Sequence, residues 1–176
     1  MSGQKVLLID GDLRRPSLHK ALEINNDESL VELLSEEITF QSVVRPVSEG
    51  GAGQGFHLIP GKHVAANSLN LLSSEHMTET LELAKKYFDF IVIDCPPTLA
   101  VSDAKIIAQL VDKMLYAVQW DETPKPLVQT GLKAALDAKM DLAGVVLTQV
   151  NLRKHARYGY GDYGYYYGKY GDYYSS

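Results

Sequence analysis

The chain has 176 residues, 45% of them apolar, and a formal net charge of −5. That length supports one domain with a real core, and the negative balance argues against general nucleic-acid binding, which needs basic patches. One cysteine, Cys95, excludes an internal disulfide framework and fits a reducing compartment; no apolar run nears the roughly 18–20 residues that cross a bilayer, and Met1–Lys5 lacks the apolar core of a signal peptide.

The run Val6-Leu-Leu-Ile predicts a strand buried on both faces, ending in two aspartates, Asp10 and Asp12, spaced i, i+2. Carboxylates beside a buried strand are paired or coordinate something. In an open α/β sheet the ligand crevice lies beyond the carboxyl ends of the strands. Two readings stand at this point. The pair faces a crevice and serves one cation, with Mg²⁺ suited to one or two carboxylates plus phosphate oxygens. Alternatively both aspartates cap the next helix. Arg14 and Arg15 follow, suited to a phosphate or a partner's carboxylate.

Pro16 to Leu22 and Ser29 to Leu34 predict short helices, the second capped by Asp27 or Ser29. Phe40 to Val47 reads as a strand or an irregular stretch. Phe56 to Ile59 reads as a strand closed by Pro60-Gly61. The glycines from Gly50 to Gly61 do not form a phosphate loop. Five residues separate Gly55 from Gly61-Lys62, His63 stands where Ser or Thr is needed, and the intervening stretch is strand-like.

Asn67 to Leu72 and Ser74 to Tyr87 predict helices, with Ser74 as a cap and Leu81, Leu83, Ala84 and Phe88 inward; His76 is an ordinary helix residue. Phe90-Ile-Val-Ile-Asp94 repeats the opening pattern, an apolar strand running into an aspartate, and Pro96-Pro97 turn the chain out of the sheet. Cys95 reads as a small filler. Asp103 precedes a helix from Ala104 to Val111, and Met114 to Val118 is a strand. Thr123-Pro124 opens a helix to Ala138, with Leu127, Leu132, Ala135 and Leu136 inward. Ala143 to Thr148 is the last strand. This alternation predicts an α/β fold, a parallel sheet with helices on both faces.

From Arg153 the composition changes. A basic patch (Arg153, Lys154, Arg157) leads into nine of the chain's 11 tyrosines: Tyr158, Tyr160, Tyr163, Tyr165, Tyr166, Tyr167, Tyr170, Tyr173 and Tyr174. Interleaved glycines and the lack of apolar periodicity predict a disordered tail. Its tyrosines either thread into another molecule's active site or self-associate by aromatic stacking.

Together these segments resemble the kinase domain of bacterial tyrosine kinases (BY-kinases), a P-loop NTPase-like family that regulates capsular and exopolysaccharide export. Val6 to Arg14 is similar to its Walker A′ signature, Asp-x-Asp-x-Arg after an apolar strand. Phe90 to Pro97 resembles its Walker B signature, and the Tyr158–Tyr174 stretch resembles its tyrosine cluster. The resemblance implies residues 1–152 as a partial kinase domain and 153–176 as an autophosphorylated tail. It implies ATP and Mg²⁺ as cofactors, with Asp10, Asp12 and Asp94 ordering the metal. Asp10 or Asp12 would take the tyrosine proton, and Arg14 would contact phosphate or a neighbouring subunit. The nine tail tyrosines would be phosphoacceptors.

The implied partners are further copies in a ring, a membrane-bound polysaccharide co-polymerase that activates the kinase, and a cognate tyrosine phosphatase. The implied place is the cytoplasmic face of the bacterial membrane. The family sets a glycine-rich Walker A loop, its lysine and an interior strand ahead of Walker A′, whereas Val6 here is preceded by five residues. The expectations are an inactive kinase when alone, and exposed strand edges that favour association. The competing readings are an ATPase of the partitioning or division type, and a non-catalytic substrate or docking fragment of an intact kinase.

Overall fold

The computed structural model describes residues 3–48, 55–64, 66–97 and 102–151. The predicted basic and tyrosine tail from Arg153 and the glycine stretch before Gly55 lie outside these residues.

Two sheets, built mainly from parallel pairings, set the architecture. β1 (Val6–Asp10) lies between β3 (Phe56–Ile59) and β4 (Phe90–Asp94), parallel to both. β2 (Arg45–Val47) runs antiparallel along the outer edge of β3, so this four-stranded sheet is mixed. β5 (Met114–Gln119) and β6 (Leu142–Thr148) form a separate parallel pair. The expected α/β fold with mainly parallel strands is present, its strands falling into two sheets among the described residues. Among the described residues β4 pairs only with β1, and β5 only with β6, so each has one open edge.

The core sits against β1. Leu7 and Ile9 are fully buried and meet Ile59 of β3, the helix α2 (Leu30–Leu34) and the helix α5 (Glu75–Ala84). Each such aliphatic side chain contributes roughly 1.5–3 kcal/mol relative to exposure. The helices begin where their caps dictate. Ser29 Oγ accepts from Val31 N–H at 3.1 Å, while the Glu32 carboxylate accepts from Ser29 N–H at 3.0 Å, closing a capping box. Ser29 rather than Asp27 is therefore the cap. Ser74 Oγ accepts from Met77 N–H at 3.3 Å and starts α5 as expected.

Two expectations are corrected. Phe40–Val43 is a helix (α3), because Thr39 Oγ1 accepts from Ser42 N–H at 3.4 Å and turns Phe40 and Val43 together into the core; only Arg45–Val47 is strand. On α7 (Lys125–Asp137) only Gly131 and Ala135 are buried, whereas Leu127 and Leu136 are exposed. A two-stranded sheet is too narrow to cover the whole apolar face of a 13-residue helix. Along the chain α6 (Asp103–Ile107) follows β4 and packs on the core through Ile107, and α4 (Ser68–Leu72), which precedes α5, lies beside it. The first helix, α1 (Leu18–Ala21), is a single turn after the β1 loop. No described helix is long and apolar enough to cross a membrane.

Candidate active site at the ends of β1 and β4

The parallel register sets Asp10 directly opposite Asp94. Gly11 N–H donates to the Asp94 carbonyl at 2.9 Å, which carries the ladder one step past the strands. A Cβ at Gly11 would stand 2.8 Å from that same carbonyl oxygen, so this crossing admits only glycine.

The two Walker A′ aspartates are both engaged by backbone. Asp10 is fully buried, and its Oδ2 accepts from Ser17 N–H at 3.2 Å and Leu18 N–H at 3.1 Å. Its Oδ1 is buried without a hydrogen-bond partner. Burial pushes the Asp10 carboxyl above its ordinary value; the Leu18 and Ser17 amides pull it back, and the Asp12 charge adds a further push upward. Asp12 Oδ1 accepts from Arg14 N–H at 3.2 Å and Arg15 N–H at 2.9 Å. Asp10 thus reaches the first amide of the next helix, whereas Asp12 bonds only loop amides ahead of that helix and does not cap it. Asp12 and Asp94 remain partly open to solvent. Asp94 is raised by burial and then by the charges of Asp10 and Asp12, with the Cys95 amide opposing.

Among the described residues no three His, Cys, Asp or Glu side chains are arranged to hold a metal ion. Asp10, one of the three expected ligands, has its Oδ2 taken by the Ser17 and Leu18 amides. What remains is two partly open carboxylates, Asp94 at the end of β4 and Asp12 in the loop just past β1, with one orphaned buried oxygen on Asp10. That donor set fits Mg²⁺, which takes one or two carboxylates and keeps several waters.

Arg14 is held by a buried partner. Its Nε donates to Asp103 Oδ2 and its Nη2 to Asp103 Oδ1 at 3.4 Å, and Ser68 Oγ also donates to Oδ1, at 3.2 Å. The Asp103 bond is the main cause that raises Arg14. Gly61 closes the other side, where a Cβ would sit 2.9 Å from the Asp10 carboxyl carbon. Asp103, Ser68 and Gly61 carry no sequence signal for these roles, since each lies on a different element from the motif it supports. The thiol of Cys95 reaches the surface, yet the protein around it and the charges of Asp94 and Asp12 push its pKa up to about 12. It stays a thiol and is no nucleophile.

Parallel strands ending in aspartates at one crevice, with helices packed against them, define a P-loop NTPase-like α/β domain. The family model described as an AAA domain matches residues 1–135. Tyrosine-protein kinase YwqD of Bacillus subtilis is 31% identical over 158 residues, covering 90% of this chain and 65% of that protein. The kinase domain of Escherichia coli tyrosine kinase ETK superposes with a TM-score of 0.77 at 30% identity, over 84% of this chain and 56% of that one. The VpsO kinase domain superposes with a TM-score of 0.74 at 30% identity, over 84% of this chain and 71% of that one. The chain belongs to this AAA-domain family and, within it, to the bacterial tyrosine kinase domains. It spans 65% of the length of YwqD.

Proposed function

We infer that the chain is the Walker A′ and Walker B portion of a protein-tyrosine autokinase, and that residues 153–176 form the tail it phosphorylates. The observation that carries this reading is the in-register apposition of Asp10 and Asp94 with Asp12 beside them, in a chain similar to tyrosine kinases. Asp12 and Asp94 would hold Mg²⁺ through their open oxygens, and the bound ion supplies charge neutralisation to the transferring phosphate. Asp12 takes the tyrosine hydroxyl proton. Asp10, enclosed and doubly hydrogen-bonded, fixes the loop that carries Asp12. Arg14, set by Asp103, faces phosphate or a neighbouring subunit.

The 176 residues contain no Gly-x4-Gly-Lys-Ser/Thr loop, so the ATP phosphates need a cradle supplied from outside them. With the family, we place the activity in control of capsular or exopolysaccharide synthesis, in a ring at the cytoplasmic membrane face. There it works with a membrane-bound co-polymerase and a cognate phosphatase. Several tail phosphates, each of roughly −1.5 to −2 charges, would loosen such a ring.

The open edges of β4 and β5 favour a second reading, in which the chain serves an intact kinase as substrate or docking surface. Phosphotyrosine mapping by mass spectrometry tests both. The kinase reading expects no modification of the chain with Mg²⁺ and ATP alone. It expects tail phosphorylation once a Walker A segment from a relative is joined ahead of Val6, and loss of that gain in Asp12→Asn. Phosphorylation only when an intact kinase is added, with no gain from the joined segment, would leave the substrate reading standing.

A further inference from the structure

Beside the aspartates the chain forms an open cleft of about 540 Å³, between the segment that follows β1 and the turn that follows β3. Its walls carry Arg14, Arg15, His19, Lys20, Lys62 and His63. Arg14, Arg15, Lys20 and Lys62 concentrate positive charge on these walls, although the chain as a whole is acidic. Two of the cations are committed: Arg14 to Asp103, and Lys62 to Glu32 at 2.5 Å. Arg15 and Lys20 pair with no carboxylate among the described residues, and both are exposed. His63 donates its Nδ1–H to the Arg14 carbonyl at 2.8 Å, which fixes the ring at the rim. The cleft therefore presents unspent positive charge and an oriented ring beside Asp12, whose backbone-bound oxygen anchors Arg14 and Arg15.

An aryl phosphate is mostly dianionic at neutral pH, with three strong acceptor oxygens. The chain's own sequence supplies nine tyrosines in residues 158–174. We propose that this cleft binds phosphotyrosine of the Tyr158–Tyr174 segment after transfer, as a product-holding site distinct from the Asp12 and Asp94 carboxylates. The proposal rests on the autokinase reading for its ligand. A modified tyrosine held there keeps the segment at the site while the next tyrosine enters. Arg15 and Lys20 make charge-assisted bonds to the phosphate oxygens.

The test installs the phosphate synthetically, so it does not depend on the kinase reaction. A fluorescent peptide copying residues 158–174, with one phosphate on Tyr166, and its unmodified twin are titrated against the full chain. The phosphopeptide is expected to bind about tenfold tighter or better. The double variant Arg15→Ala/Lys20→Ala, at exposed positions and checked for an unchanged circular dichroism spectrum, is expected to remove that preference. Equal affinity for the two peptides, or a preference that survives the double variant, overturns the site. A tail never phosphorylated in the mapping experiment, with the peptide preference intact, would instead overturn the autokinase reading and leave the phosphotyrosine site in place.

Discussion

Asp103, 1% exposed, accepts the Arg14 guanidinium through both carboxylate oxygens, although the two residues are 89 positions apart. This pair ties the loop after β1 to the start of α6. The two partners are unequal, because the Arg14 side chain is 38% exposed and Asp103 is enclosed. Removing Arg14 strands a buried carboxylate with only Ser68 for company, whereas removing Asp103 releases a guanidinium that water can solvate. Arg14→Ala is therefore expected to lower the melting temperature more than Asp103→Ala, and the latter to cost roughly 1–3 kcal/mol. Thermal denaturation of both variants checks the order; the reverse order would show that the pair is not what holds the loop.

The aspartates at the strand ends carry a pH signature. Asp10 and Asp94 both have folded-state values raised above the ordinary carboxylate value, chiefly by burial. Their contribution favours the fold at pH below that ordinary value and is lost as pH rises through the raised values. Glu32 runs the other way. Burial pushes it up, but Lys62 and the Ser29 hydroxyl outweigh that and lower it, so its contribution is lost as pH falls. The difference between Asp94→Asn and the parent isolates the Asp94 part. The variant is expected to be more stable than the parent at neutral pH, and the gain to shrink on acidification. A gain that does not change between about pH 4 and pH 7 would refute the assignment.

Gly61 is the residue against which the Asp10 carboxylate rests. A methyl group there meets the Asp10 carboxyl carbon and carbonyl oxygen, both at 2.9 Å, and Pro16 at 3.1 Å. Neither the strand end nor the proline gives way easily. Gly61→Ala is expected to destabilise the chain by about 1–3 kcal/mol, read from urea unfolding. A neutral result would mean that the crevice floor is loose.

The open strand edges should act on association. Val92 on β4 is 50% exposed and Leu115 on β5 is 66% exposed. Edges of this kind recruit other strands unless charge blunts them. The double variant Val92→Lys/Leu115→Lys is expected to shift the chain towards monomer in size-exclusion chromatography. An unchanged profile would show that association, if present, runs through another surface.

Much of this was legible in the order of the residues. Apolar runs of four followed by aspartate marked both β1 and β4 and put Asp10 and Asp94 at their ends, and Ser29 and Ser74 announced their helices. The short helix at Phe40 was not legible, because a single turn beside Pro46 has too few residues to show a period, and only Thr39 marks its start. The exposure of Leu127 and Leu136 was hidden for a different reason. Their spacing correctly describes one helix face, but how much of that face is covered depends on the width of the sheet beneath it. The capture of Asp10 by the Ser17 and Leu18 amides was likewise invisible, since it depends on how the loop after Asp12 folds back. Arg14 and Asp103 were each noticed, and nothing in their separation joined them.

The central claim is that a divalent cation sits between the Asp12 and Asp94 carboxylates. Paramagnetic broadening of backbone amide resonances by Mn²⁺, a spectroscopic stand-in for Mg²⁺, tests it most directly. The account predicts that Gly11, Asp12 and Cys95 broaden first as Mn²⁺ is added, and that Asp94→Asn abolishes the effect. Broadening spread over the acidic surface, and unchanged in that variant, would contradict it.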